Sequence, residues 1–369
     1  MSTRPPKNGV GPLDHLALRY LRRALETAHP TDEPYVLNPV ETRLIQRTKV
    51  LTLSLAALVG VLGVLLIYIP QYNWPDFFQS TPLTLFDTTF QLPLVTIIYG
   101  VLIVYIEIHL LIGLNLLGVK TIMHVCQFPR AHDAQYDRHL RALADAALEK
   151  ANQGVFRFGI DPYLNMPRWG LTIFFLLNQV KAFLSQFLVK FLFRRFLGRY
   201  VLRQFTDLLG MPIFALWNSY ASWQVLHEAQ VRVMAPATIR EFVNELHDEW
   251  GKDTEFRPLI LEALQYVAIL KRQYNYAHYL LTETLVDRFD LRINNQLTGE
   301  FINKIAHVSP HARQSLERLI IFGVLVDGRL SWIEKRQLRL LQKRGFLTYS
   351  IRDIQKMGKE YNQGKGLWV

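Results

Sequence analysis

The sequence predicts an all-α chain: a membrane helical hairpin with interfacial helices, followed by a soluble helical region. Three observations predict it. Two apolar runs long enough to cross a bilayer lie between residues 50 and 119. Beyond residue 236 no run is that long, yet apolar residues recur at helical spacing with almost no strand-like alternation. Half of all residues are hydrophobic while mean hydropathy is barely positive, which fits membrane segments joined to soluble helices.

Residues 1–49 read as a cytoplasmic N-terminal segment. Leu13, Leu16, Ala17, Tyr20, Leu21 and Ala24 fall at helical spacing with Arg19, Arg22 and Arg23 between them. That pattern predicts a short amphipathic helix lying on the membrane or on the protein's own body. This long polar stretch lacks a signal-type apolar core, so no cleavable leader is expected.

Residues 50–119 read as the transmembrane hairpin. Val50 to Ile69 is a run of 20 residues without a charge. At 1.5 Å per residue it covers about 30 Å, the thickness of the hydrocarbon core. The second run, Leu92 to Val119, carries one acid, Glu107, close to His109. Residues 1–49 hold eight Lys or Arg, whereas the connecting loop, Pro70 to Gln91, holds none and carries Asp76 and Asp87. The positive-inside rule therefore places both termini in the cytoplasm and the loop outside. Tyr68, Tyr72 and Trp74 sit where an outer aromatic belt is expected.

Two further apolar stretches follow in 169–235. Trp169 to Phe193 contains Lys181 and Lys190; Leu208 to Leu226 is uncharged but holds Pro212, Asn218, Ser219 and Ser222. If both crossed, Arg194, Arg195, Arg199 and Arg203 between them would lie outside, against the rule. A lysine at mid-span adds about 2.5–3.5 kcal/mol to insertion. The region is accordingly read as an interfacial or re-entrant hairpin, four true spans being the alternative. Lys181, Lys190, Arg194, Arg195, Arg199 and Arg203 then contact anionic lipid. The formal charge of +11 is concentrated beside these apolar segments, so it points to lipid rather than nucleic acid. The single cysteine, Cys126, excludes an intramolecular disulfide and fits a reducing cytoplasm.

Residues 120–168 read as a cytoplasmic helix and loop: Ala131 to Asn152 is polar and alanine-rich, predicting one exposed helix. Residues 236–369 read as a helical domain, and one part of it carries a resemblance. Leu319 to Arg344 runs apolar helix, Asp327-Gly328, Ser331 and then Glu334 three residues later. This resembles the second hairpin of the TerB-like (tellurite-resistance) helical family, over about residues 237–345. The resemblance implies a stress- or envelope-associated role and connects Asp327 and Glu334 with metal binding. The family repeats the acidic turn in its earlier hairpin, where this chain has Lys271, Arg272, Gln273 and Tyr274. The residues themselves give a plainer account: Gly328 ends one helix, and Ser331 with Glu334 caps the next. No metal, cofactor or catalytic residue is assigned.

Three other groups of residues stand out. Glu107 is an ionisable residue inside a membrane helix, a functional candidate by default; His109, two residues on, does not share its face. The plainer account is that Glu107 anchors helix packing. His124, Cys126, His132, Asp133, Asp137 and His139 lack zinc-type spacing and read as solvated helix residues. Tyr266, Tyr274, Tyr276 and Tyr279 read as core fillers with hydroxyls at the surface. Nucleotide-binding, hydrolase and kinase motifs are absent. The pattern predicts a bacterial inner-membrane scaffold or sensor with a protein partner, or self-associated, and no nucleic-acid partner. The alternatives are an oligomeric channel or proton-coupled transporter using Glu107, and an interfacial lipid-handling enzyme.

Overall fold

The computed structural model describes residues 12–25, 37–79, 81–85, 88–92, 94–129, 135–148, 158, 160–161, 203–272, 274–291, 301–305 and 308–369. Lys181, Lys190, Arg194, Arg195 and Arg199 lie outside them, as does the side chain of Arg203. The chain forms two compact units, one from residues 1–45, 120–166 and 227–369, the other from 46–119 and 167–226.

The second unit is built on long apolar helices. Helix α2 covers Pro39–Asn73. Asn38 caps it: its side-chain oxygen accepts from the Val40 and Glu41 amides, while the Glu41 carboxylate accepts from the Asn38 amide. Pro39 fits the first turn, where its missing N–H costs nothing. The sequence placed the end of the span at Ile69, but the helix continues through Pro70 to Asn73. Pro70 cannot donate to the carbonyl of Leu66; the Tyr99 hydroxyl donates to that oxygen instead, at 2.8 Å. The connecting loop is more ordered than a plain turn. It contains a short 3-10 turn, Pro75–Phe78, and strands β1 (Thr81–Leu85) and β2 (Thr88–Leu92), paired antiparallel with Leu83 opposite Phe90. Threonine and phenylalanine at alternate positions favour such pairing. Helix α3 then runs Leu94–Cys126.

Both α2 and α3 are long and apolar enough to cross a bilayer. Only 28% and 22% of their most apolar stretches are buried, so neither is the core helix of a soluble body. Leu58, Leu62 and Leu66 on α2, and Ile98, Leu102 and Leu110 on α3, face outward.

Helix α5 covers Arg203–Trp250, with residues 203–226 in this unit. The expected interfacial hairpin, 169–235, thus divides: residues 169–202 lie outside the described ones, and from Arg203 the chain is one helix that continues past 235 without a break. Pro236 does not end it, although an interior proline costs about 3 kcal/mol. The flanking Val231, Val233, Ala235 and Ile239 are buried and hold the helix together. Within the second unit α5 lies beside both apolar helices. Asn218 touches Glu107 of α3, and Leu226 lies against Gly118, so α5 and α3 run parallel. The Ser219 hydroxyl donates to the Leu53 carbonyl, and Phe214 lies against Gly60, so α5 and α2 run antiparallel. A Cβ on Gly60 would meet the Phe214 carbonyl oxygen at 2.8 Å, a close backbone approach that glycine allows.

The first unit is all-helical among the described residues. Helix α1 (Pro12–Leu25) packs on α4 (Tyr136–Ala147) with Ala17 and Leu21 buried, and Arg22 pairs with Asp137 at 2.9 Å. Of the two seats expected for the N-terminal helix, it takes the protein's own body. Helix α4 was expected to be exposed; instead its alanine face is buried with Leu140, Leu143 and His139. Alanine at helical spacing admits close helix approach, which a count of polar residues does not reveal.

The remaining helices are α6 (Phe256–Lys271), α7 (Tyr276–Phe289), α8 (Phe301–Ile305), α9 (Pro310–Leu325), α10 (Trp332–Lys343) and α11 (Ile351–Asn362). The core lies where α6 crosses α9 and meets residues 227–250 of α5. Gly323 fits against Val267, and the Phe322 and Phe242 rings stack with centroids 4.0 Å apart. Each such buried side chain contributes about 1.5–3 kcal/mol. The C-terminal tail closes the unit: the Leu37 amide donates to the Gly364 carbonyl, and Gly364, at φ +82, admits the Leu37 side chain where a Cβ would clash.

Candidate functional site

The turn between α9 and α10 is a buried ionic centre. Gly328 takes φ +68, and a Cβ there would also meet Asn362 Oδ1 at 2.4 Å, so both conformation and space require glycine. Ser331 caps α10 by accepting from the Glu334 amide, and Glu334 accepts in return from the Ser331 amide at 2.9 Å. Asp327 accepts from the Arg329 amide at 3.0 Å. These contacts bring Asp327 and Glu334 together, and Lys271, at the last turn of α6, fills the space between them.

The Lys271 ammonium donates to Asp327 Oδ1 at 2.9 Å, Glu334 Oε2 at 3.2 Å, the Val324 carbonyl at 3.1 Å and the Arg329 carbonyl at 3.0 Å. The Lys271 side chain is 2% exposed. Burial alone would raise the Asp327 carboxyl, but the Lys271 ammonium, with help from His278, holds it below its ordinary value. His278, which caps α7 together with Asn275, is held down to about 4 by burial, against the pull of Asp327.

Two carboxylates and two carbonyls are hard-cation ligands. Here they surround an ammonium, and among the described residues no group of three His, Cys, Asp or Glu is placed to hold a metal. The metal that the sequence resemblance implies does not fit: its position is taken by a cation that belongs to the chain. Lys271, at the end of α6, is therefore complementary to the acidic turn of Asp327 and Glu334.

Glu107 is the second centre. It is 5% exposed and its Oε1 accepts from the Asn218 amide nitrogen at 2.9 Å. Gly63 makes room: a Cβ there would stand 3.0 Å from Glu107 Oε2. Asn115 and Ser222, on the same helices, are buried, with Asn115 Oδ1 and Ser222 Oγ lacking hydrogen-bond partners. His109 is not part of this seam; it points outward and bonds the Tyr105 carbonyl through Nδ1. Asn218 was singled out in the sequence only as a residue that weakens a span. Its pairing with Glu107 joins positions 111 apart, which no local pattern encodes.

The His124–His139 group does not come together as a site. His132 and Asp133 lie outside the described residues. His139, expected to be solvated, is buried with Nδ1 3.0 Å from the Tyr276 hydroxyl. That hydroxyl was expected at the surface; burial pushes the phenol up to about 12, so it stays protonated. A cavity of about 320 Å³ opens beside His139, lined among others by Leu280, Arg240, Glu283, Asp287 and Arg288. Its residues come from separate segments, so sequence spacing gave no sign of it.

The chain matches no family model, no curated protein and no solved structure.

Replacing Lys271 with methionine keeps the bulk and leaves two buried carboxylates facing each other. Lys271→Met is expected to lower stability by about 3–5 kcal/mol. Adding Asp327→Asn and Glu334→Gln should recover most of the loss in detergent melting curves. An unchanged melting temperature for Lys271→Met would refute the role given to the ammonium.

Stability should also fall with acidification. Between the ordinary imidazole value of 6.5 and about 4, the unfolded chain protonates His278 while the folded chain does not. Below that range the protonation of Asp327, whose folded carboxyl is held low, removes a further contribution. His278→Gln, which can still close the capping box, should flatten the decline between pH 6.5 and 4.

Proposed function

We propose that the chain is a membrane-anchored scaffold or sensor of the bacterial inner membrane. It presents a TerB-like helical domain at the cytoplasmic face to a protein partner. The observation that carries this reading is the sorting of surfaces. Over residues 50–75, 94–119 and 211–226 the one acid is the buried Glu107, and Lys and Arg are missing. The first unit, by contrast, carries charge on most of its helices. The lysines and arginines flanking α2 and α3 favour cytoplasmic termini.

The parallel course of α5 and α3 favours a further membrane crossing. Ile213, Leu216, Trp217 and Tyr220 of α5 face outward like the lipid-facing side chains of α2 and α3. Arg203 and Leu94 each precede the Asn218–Glu107 contact by about 20 Å of helix. In this arrangement α5 begins on the outer side, against the orientation rule that argued for an interfacial hairpin. A membrane-impermeant maleimide applied to intact cells should label Arg203→Cys; a residue reached only after lysis would return 208–226 to the cytoplasmic interface.

A second reading, an oligomeric channel or proton-coupled transporter, is favoured by the buried polar seam of Glu107, Asn218, Asn115 and Ser222. Purification of the full chain in mild detergent, with mass spectrometry of what accompanies it in fixed ratio, separates the two. A stoichiometric protein partner is expected. A homo-oligomer carrying only lipid, with transport lost in Glu107→Gln at normal protein level, would overturn the scaffold reading in favour of the second.

A further inference from the structure

Helix α10 has two unlike faces. Glu334, Leu338 and Leu341 point into the first unit and are buried. The opposite face, an arc of about 140° at 100° per residue, carries two kinds of side chain. Trp332, Ile333 and Leu340 are 68%, 49% and 51% exposed. Arg336, Arg339, Lys343 and Arg344 are exposed among them. The one acid of the helix, Glu334, is turned inward to Lys271, so this face holds four positive charges and no negative one.

Neither half of that pattern suits water alone. Three large apolar side chains exposed on one arc mark a surface that something covers. Four cations uncompensated on the same arc require that the covering matter be anionic. The apolar and basic groups are interleaved along a convex helix rather than set in a groove. Tryptophan and leucine then enter the acyl boundary while arginine and lysine stay at headgroup level. Arg336 already lies over the Trp332 ring, 6.0 Å from its centroid, the indole–cation pairing of an interfacial side chain. An acidic protein offers the charge but needs a matching apolar recess, whereas a lipid surface supplies both without one.

We propose that this face of α10 seats on the anionic headgroups of a lipid bilayer. The proposal rests on the membrane-anchored reading, which keeps such headgroups at high effective concentration around the domain. Contact is electrostatic in origin and weakens with salt. The sequence directed attention to the basic residues of 181–203 as the lipid contact; α10 is a separate one, far along the chain.

The test uses the full chain in nanodiscs, with a nitroxide on Leu340→Cys; Cys126 is buried, and the unsubstituted chain gives the labelling background. In discs of phosphatidylcholine with phosphatidylglycerol, access of the label to a water-soluble nickel relaxant should fall several-fold and access to oxygen should rise. In phosphatidylcholine alone the label should remain in water. Arg336→Glu with Arg339→Glu and Lys343→Glu should return it to water in anionic discs, with circular dichroism and melting unchanged. A label equally water-exposed in both lipids would overturn the proposal and leave an acidic protein as the partner of this face. A label equally immersed in both would overturn its electrostatic basis. A chain that is extracted by alkaline carbonate and fails to enter discs would instead refute the anchoring itself, a distinct result.

Discussion

The apolar surfaces of α2 and α3 constrain everything else in the second unit. A helix whose outward face is leucine, isoleucine and valine over some 20 residues is long and apolar enough to cross a bilayer. Polar groups on such helices must find partners inside. Leu66 loses its helical donor to Pro70 and gains Tyr99; Glu107 turns inward to Asn218. Gly60 and Gly63 supply the space that the Glu107–Asn218 pair needs. Burying an acid this way is expensive, and the close approach allowed by glycine is what makes the hydrogen bond available.

The first unit solves the related problem of a buried charge cluster. Lys271, Asp327 and Glu334 lie at a point where α6, the turn after α9 and the start of α10 converge. A buried ion cluster of this kind gives little net stability, since desolvating three charges offsets their attraction. What it gives is position. The ammonium accepts only one arrangement of two carbonyls and two carboxylates, so it sets how α10 leaves the turn. That fixes the direction of the exposed basic face, because Glu334 is at once the capping residue, the lysine's partner and the reason the opposite arc looks outward.

A turn that brings two acids together is also how hard cations are held. The difference lies in one side chain from a distant helix. An internal ammonium has fixed stoichiometry, cannot be chelated away and does not report on metal concentration. In this turn Lys271 occupies the space between the two acids.

The sequence by itself determined what local chemistry determines. Length and hydropathy marked α2 and α3. The Ser331–Glu334 capping box and the left-handed Gly328 were readable because capping operates within four residues. Periodicity gave the helical character of the C-terminal region, since a stripe of apolar residues is a property of one helix. Only the tertiary structure decided which residues meet across the chain. Glu107 with Asn218, Lys271 with Asp327, and His139 with Tyr276 join positions too far apart for any spacing rule. It also decided the course of α5. The helix runs unbroken through Pro236 because burial of the flanking side chains, a sum over neighbours from other helices, outweighs one lost hydrogen bond.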